Sequence, residues 1–141
     1  MIKMKNSILA ILTSIVLIIN ACAQQPIEEE KPLQSQGSYK IGVMLPLTGD
    51  AAAVGLPEQR GVKIAIDEVN AKGGVNGRKL EAVYEDSKCN PKDGNAAAQK
   101  LVNIDKVKII IGGTCSGETL GASPITEANK VVLISPSATS P

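Results

Sequence analysis

Apolar and polar residues fall into short blocks along most of this chain, and their spacing predicts its elements. "YKIGVMLPL" (39–47) is a nearly continuous apolar run, the pattern of a strand buried on both faces. "TGDAAAVGLP" follows as a loop broken by Gly49 and Gly55. Val62, Ala65, Ile66 and Val69 then recur at i, i+3, i+4 and i+7, which predicts an amphipathic helix over roughly 56–71. "KGGVNGR" supplies glycines for its end, and "KLEAVYED" alternates enough to be a second strand. After the loop "SKCNPKDG", "NAAAQKLVNI" puts Ala97, Ala98, Leu101 and Val102 on one helical face. "VKIIIGG" predicts a third strand, "ETLGASPITEANK" a helix kinked or restarted at Pro124, and "VVLIS" (131–135) a fourth buried strand before "PSATSP".

The order β-α-β-α-β-α-β predicts the α/β class: a parallel sheet with helices on both faces. No helix returns after the fourth strand, so part of one sheet face is expected to lie bare. Residues 39–141 are accordingly expected to be the incomplete N-terminal portion of a larger fold.

The first residues have a different pattern. Lys3 and Lys5 precede an apolar stretch at 8–19 and small residues around Cys22, the layout of an export signal. "INACAQQ" fits an A-x-A cleavage site, which would discard Cys22, and also resembles a bacterial lipobox, in which Cys22 is lipidated and becomes the mature N-terminus. The lipobox is the favoured reading, because the polar stretch 23–38, rich in Gln, Glu, Pro and Ser, suits a flexible spacer from a membrane. The predicted organisation is a signal segment at 1–22, a linker at 23–38 and one domain at 39–141. The location is periplasm or cell surface, with a lipid anchor.

Composition narrows the chemistry. Net charge is +1, from 15 basic and 14 acidic residues, and Tyr39 and Tyr84 are the only aromatics. Nucleic-acid binding has neither a basic stripe nor a stacking surface to use. With no histidine in the chain, His-dependent triads and His-ligated metal sites are excluded, and neither a catalytic residue, a metal site nor a cofactor is expected. Cys89 and Cys115, in an exported chain, read as a disulfide worth roughly 3.5 kcal/mol on the loop-entropy account. Asp50, Asp67, Glu68, Asp86 and Glu118 form the nearest approach to a carboxylate cluster, and most read as solvated charges.

Ligands of open parallel sheets sit beyond the carboxyl ends of the strands. "LTGDAAAVG", "GGTCSGET" and "PSATSP" occupy that rim, and the second opens a helix whose first amides suit an anion. "GGTCSGET" lacks the phosphate-loop spacing and its lysine. A carboxylate fits better: Ser116 offers a hydroxyl, Ser116 and Gly117 offer amides, and Thr139 offers both. The bland alternative has Ser116 simply capping its helix and "PSATSP" as an ordinary turn.

These stretches together resemble the N-terminal lobe of the branched-chain amino-acid-binding (leucine/isoleucine/valine-binding) proteins, the type I periplasmic binding fold of ABC importers. "VNAKGG", "YEDSKCNP" and "LISPSATSP" carry the resemblance most specifically, and it spans essentially all of 39–141. It implies a Rossmann-like lobe with a Cys89–Cys115 disulfide. Ser116 would bind the ligand α-carboxylate, the Ser137 carbonyl would take the α-ammonium, and Thr139 would contact both. Val54 stands where amino-acid binders often place an aromatic against the ligand side chain. The implied function is capture of a branched-chain or other small amino acid, or a related carboxylate, by closure of two lobes, followed by docking on an ABC permease. Relatives also take amides, urea-type compounds and aromatic acids. A sensory ectodomain is the competing class, and an exported enzyme a remote third.

The second lobe normally completes the pocket. Residues 1–141 alone are therefore expected to bind amino acids weakly or not at all, and calorimetric titration with leucine checks this: micromolar affinity would contradict it.

Overall fold

A computed structural model describes residues 37–140. The export signal, Cys22, most of the 23–38 linker and Pro141 lie outside them. Four parallel strands form one sheet: β1 (Tyr39–Leu45), β2 (Leu80–Asp86), β3 (Ile109–Gly112) and β4 (Val132–Ile134), in the order β2-β1-β3-β4. Three helices connect them: α1 (Ala52–Ala71), α2 (Pro91–Gln99, continued by a π-helical turn, Lys100–Ile104) and α3 (Ser116–Ala128). The register pairs Gly42 with Val83 and Ile110, and Ile110 with Leu133.

Alternation along the strands divides the apolar residues between two faces. Met44 and Ile110 pack with Ala97, Ala98, Leu101 and Ala122 on the face covered by α2 and α3. The opposite face carries Ile41 and Ile111 beneath α1. The two sides are packed unequally. Gly94 and Gly121 let α2 and α3 meet backbone to backbone: a Cβ on Gly94 would lie 2.6 Å from the Glu118 carbonyl oxygen, and one on Gly121 would strike that of Pro91. Between α1 and the sheet, by contrast, runs an open groove of about 380 Å³ bordered by Ile41, Val62, Ile66, Val69, Leu80 and Ile111.

Several elements depart from the sequence-based expectations. α1 begins at Ala52 rather than near residue 56, so Val54 lies in its first turn and not in a loop. α2 begins at Pro91, with the Asn90 side chain accepting from the Asp93 amide at 3.0 Å, four residues before the expected start. α3 runs unbroken through Pro124. That proline is exposed, so its ring projects into solvent, where water can also satisfy the carbonyl it leaves unpaired. β4 is not buried: Val132 and Ile134 are each 54% exposed, and Ile109 beside them is 41% exposed. Among the described residues, this part of the sheet face lies bare, as the sequence led one to expect.

The unequal packing has opposite consequences for one chemical change. Gly121→Ala is expected to destabilise the chain by about 1–3 kcal/mol, because the α2 backbone blocks the methyl. Gly61→Ala, mid-helix with open space around it, is expected to stabilise by about 0.5–1 kcal/mol. Urea unfolding of the two variants measures both signs.

Candidate ligand-binding site

The carboxyl ends of β1, β3 and β4 bring three loops to one rim. β3 ends at Gly112, and Gly113 follows it, at φ +138° and +81°. A side chain on the first would press on the Met44 backbone, and one on the second on Thr119. Only glycine fits both the angles and the space. The turn they make leads through Thr114 to Cys115, the residue that precedes the first turn of α3.

Two ties hold this loop to the one after β2. Cys89 and Cys115 form a disulfide, with Cα atoms 5.3 Å apart. Glu118, fully buried, accepts from the Ser87 hydroxyl at 2.5 Å and from the Cys115 amide at 3.0 Å. Glu118 is thus not a solvated charge. Asp86 is half-buried, and its carboxylate accepts from the Thr48 hydroxyl at 2.5 Å and from the amides of Leu47 and Lys88. Burial alone would raise the Asp86 pKa, but the Thr48 hydroxyl and the amides of Leu47, Lys88 and Thr48 together hold it below the ordinary value. Asp50, Asp67 and Glu68 are exposed, as expected.

The loop after β4 closes on the same place. The Ser135 hydroxyl donates to the Gly113 carbonyl at 2.7 Å, and that of Ser137 to the Thr114 carbonyl at 2.9 Å. The amides of Thr139 and Ser140 converge on Ser116 Oγ, at 3.2 and 3.1 Å. Cys115, not Ser116, occupies the N-cap position, so the capping alternative for Ser116 does not hold. With its oxygen accepting two amides, the Ser116 hydroxyl has its own proton free to donate. The Ser116 and Gly117 amides are among the four that helix geometry leaves without a partner inside the helix. Donors from two loops therefore gather at the positive end of a 13-residue helix. Val54, 52% exposed, stands on α1 across from this cluster's loop, since Glu58, one turn further on, accepts from the Thr114 hydroxyl at 2.5 Å. Sequence reasoning did not single out Glu58, Thr114 or Ser87; nothing in their local pattern marks them, because each acquires its role from a loop distant in sequence.

A groove of about 580 Å³ lies at the opposite, amino-terminal ends of the strands, bordered by Tyr39, Ile41, Val75, Leu80 and Ile109. It adjoins the bare sheet face, and Ser38, Lys40, Asp105, Lys106 and Lys108 also border it.

Residues 38–141 match the family model described as periplasmic binding protein. The chain belongs to that family. Its lobe has 44% identity over 104 residues to the leucine-, isoleucine-, valine-, threonine- and alanine-binding protein of Pseudomonas aeruginosa, covering 74% of this chain and 28% of that one. Among solved structures, it is similar to the branched-chain amino acid transporter substrate binding protein LivJ of Streptococcus pneumoniae in complex with isoleucine. The TM-score there is 0.71 and the identity 38%, over 73% of this chain and 30% of the other. A solute binding protein of an ABC transporter from Rhodopseudomonas palustris, in complex with 3,4-dihydroxy benzoic acid, gives a TM-score of 0.67 and 29% identity, over 73% and 28%. The chain thus spans less than a third of the length of these binding proteins.

Because folding lowers the Asp86 pKa below 3.8, its contribution is complete above that value and is lost as pH falls through the lowered one. Asp86→Asn is expected to cost about 1 kcal/mol near neutrality. The gap from wild type should narrow below pH 3.8, as measured by urea unfolding across a pH series.

Proposed function

We propose that this chain forms the carboxylate-gripping lobe of an extracytoplasmic solute receptor serving an ABC importer. Its solute is a branched-chain or other small amino acid. The observation that carries the reading is the convergence of the Thr139 and Ser140 amides on the Ser116 hydroxyl at the start of α3. A carboxylate seated there accepts hydrogen bonds from the Ser116 hydroxyl and the helix amides, and draws on the helix dipole. The Ser137 carbonyl supplies the acceptor for an α-ammonium, and Thr139 reaches both groups. Gly117 allows the ligand close to the helix backbone, and Val54 faces its side chain. The receptor needs no cofactor and performs no catalysis. Closure of a second lobe over the solute creates the form that the permease accepts. Export through the signal at 1–22 and a lipid on Cys22 place it at the membrane surface, with 23–38 as the spacer.

The kinship with amino-acid-binding relatives supports an amino acid as solute. The dihydroxybenzoate complex of the Rhodopseudomonas palustris relative favours a second reading, in which an aromatic acid uses the same carboxylate seat and leaves the ammonium acceptor unused.

Titration of the full-length protein distinguishes them. Wild type is expected to bind leucine more tightly than 3,4-dihydroxybenzoate, and Ser116→Ala to weaken leucine binding by about 10–100-fold, the worth of a hydrogen bond to a charged group. Unchanged leucine affinity in that variant would contradict the proposed seat.

A further inference from the structure

We infer that Glu58 is a positioning residue that sets selectivity for the ligand's side chain, by holding α1 and Val54 at a fixed separation from Ser116. The inference rests on the amino-acid-seat reading above and assigns a determinant that the seat itself does not contain. The Thr114 hydroxyl donates to Glu58 Oε2 at 2.5 Å. Thr114 stands two residues before Ser116, so this bond joins the loop of the carboxylate grip directly to α1. Glu58 follows Val54 by four residues, which puts both on one helix face.

The packing of α1 makes such a tie necessary. Gly55 is its only buried residue, and its start has neither a side-chain cap nor an acidic first turn. Its apolar face borders an open apolar groove of about 380 Å³ instead of a filled core. Contact of Gly55 with the Pro46 backbone stops the helix from coming closer, yet does nothing to stop it lifting away. Among the described residues, α1 makes side-chain hydrogen bonds to other elements at two places. Asn70 exchanges a pair with the Leu80 backbone, at 2.9 and 2.7 Å, and this pins the far end. Glu58 pins the end that carries Val54.

A solute gripped by its carboxylate has its side chain limited by the surface opposite. Releasing α1 at Glu58 lets that surface move. Carboxylate binding, common to every amino acid, is untouched, while discrimination by side-chain size declines. A residue that merely stabilised the fold would affect all solutes alike.

The experiment is calorimetric titration of the full-length protein with leucine and with alanine, in wild type and in Glu58→Ala, Thr114→Val and Glu58→Gln. Glutamine keeps a carbonyl oxygen for Thr114 and is expected to behave as wild type. The alanine and valine variants are expected to lower the leucine-to-alanine affinity ratio by about tenfold, the order that pocket fit confers per methylene. Equal weakening toward both amino acids overturns the inference, as does a Glu58→Gln variant as impaired as Glu58→Ala, or no change in any variant of a protein that binds leucine. Wild type that binds neither amino acid overturns the underlying seat, and this inference with it.

Discussion

A parallel sheet brings the carboxyl ends of its strands to one rim but leaves each loop there free to find its own position. The bond between Cys89 and Cys115 removes that freedom for two of the loops at once, across a sequence separation of 26. Beside it, the Glu118 carboxylate makes a second tie to Ser87 and returns to the Cys115 amide. With Glu118 and Ser87 both inaccessible to solvent, water cannot compete for this tie, and a lost partner would strand a buried charge. The start of α3 is thus held by both a covalent bond and a buried hydrogen-bonded carboxylate. The hydroxyls and amides of the loop after β4 then organise against a fixed point.

Rigidity is distributed unevenly around this point. On the α2 and α3 side, glycine contacts and the cluster around Met44 and Ile110 leave little room. On the α1 side, an open groove, an exposed β4 and a helix held by few polar contacts make a more loosely packed layer. A binding protein gains from this division. On the proposed reading, donors that grip a group shared by all solutes are best fixed in advance, because ordering them on binding would cost affinity. On the same reading, the surface that measures side-chain size can tolerate adjustment.

How much was legible depended on how local each feature is. The four strands, their order with the helices and the apolar face at Ala97, Ala98, Leu101 and Val102 followed from runs and spacing. Helix starts were less visible. Gly49 and Gly55 look like breakers, but Gly55 is where α1 meets Pro46 inside the helix. Pro124 misled in the same way. Burial of β4 was overestimated because an apolar run states a preference for cover and cannot itself supply it. Asp86 and Glu118 looked like ordinary surface charges, since a carboxylate's partners come from whichever loops the fold delivers.

By itself, then, the sequence determined the α/β alternation, the pairing of the two cysteines open to it, and the cluster of glycine and hydroxyl residues at the strand ends. All of these rest on interactions between near neighbours or on simple counting. Only the tertiary structure decided that Ser116 faces the Thr139 and Ser140 amides instead of capping its helix. The same holds for Glu118 becoming a buried clasp and Glu58 reaching Thr114. These outcomes depend on how the β2-β1-β3-β4 order brings distant loops within hydrogen-bonding reach, a distance that no local pattern encodes.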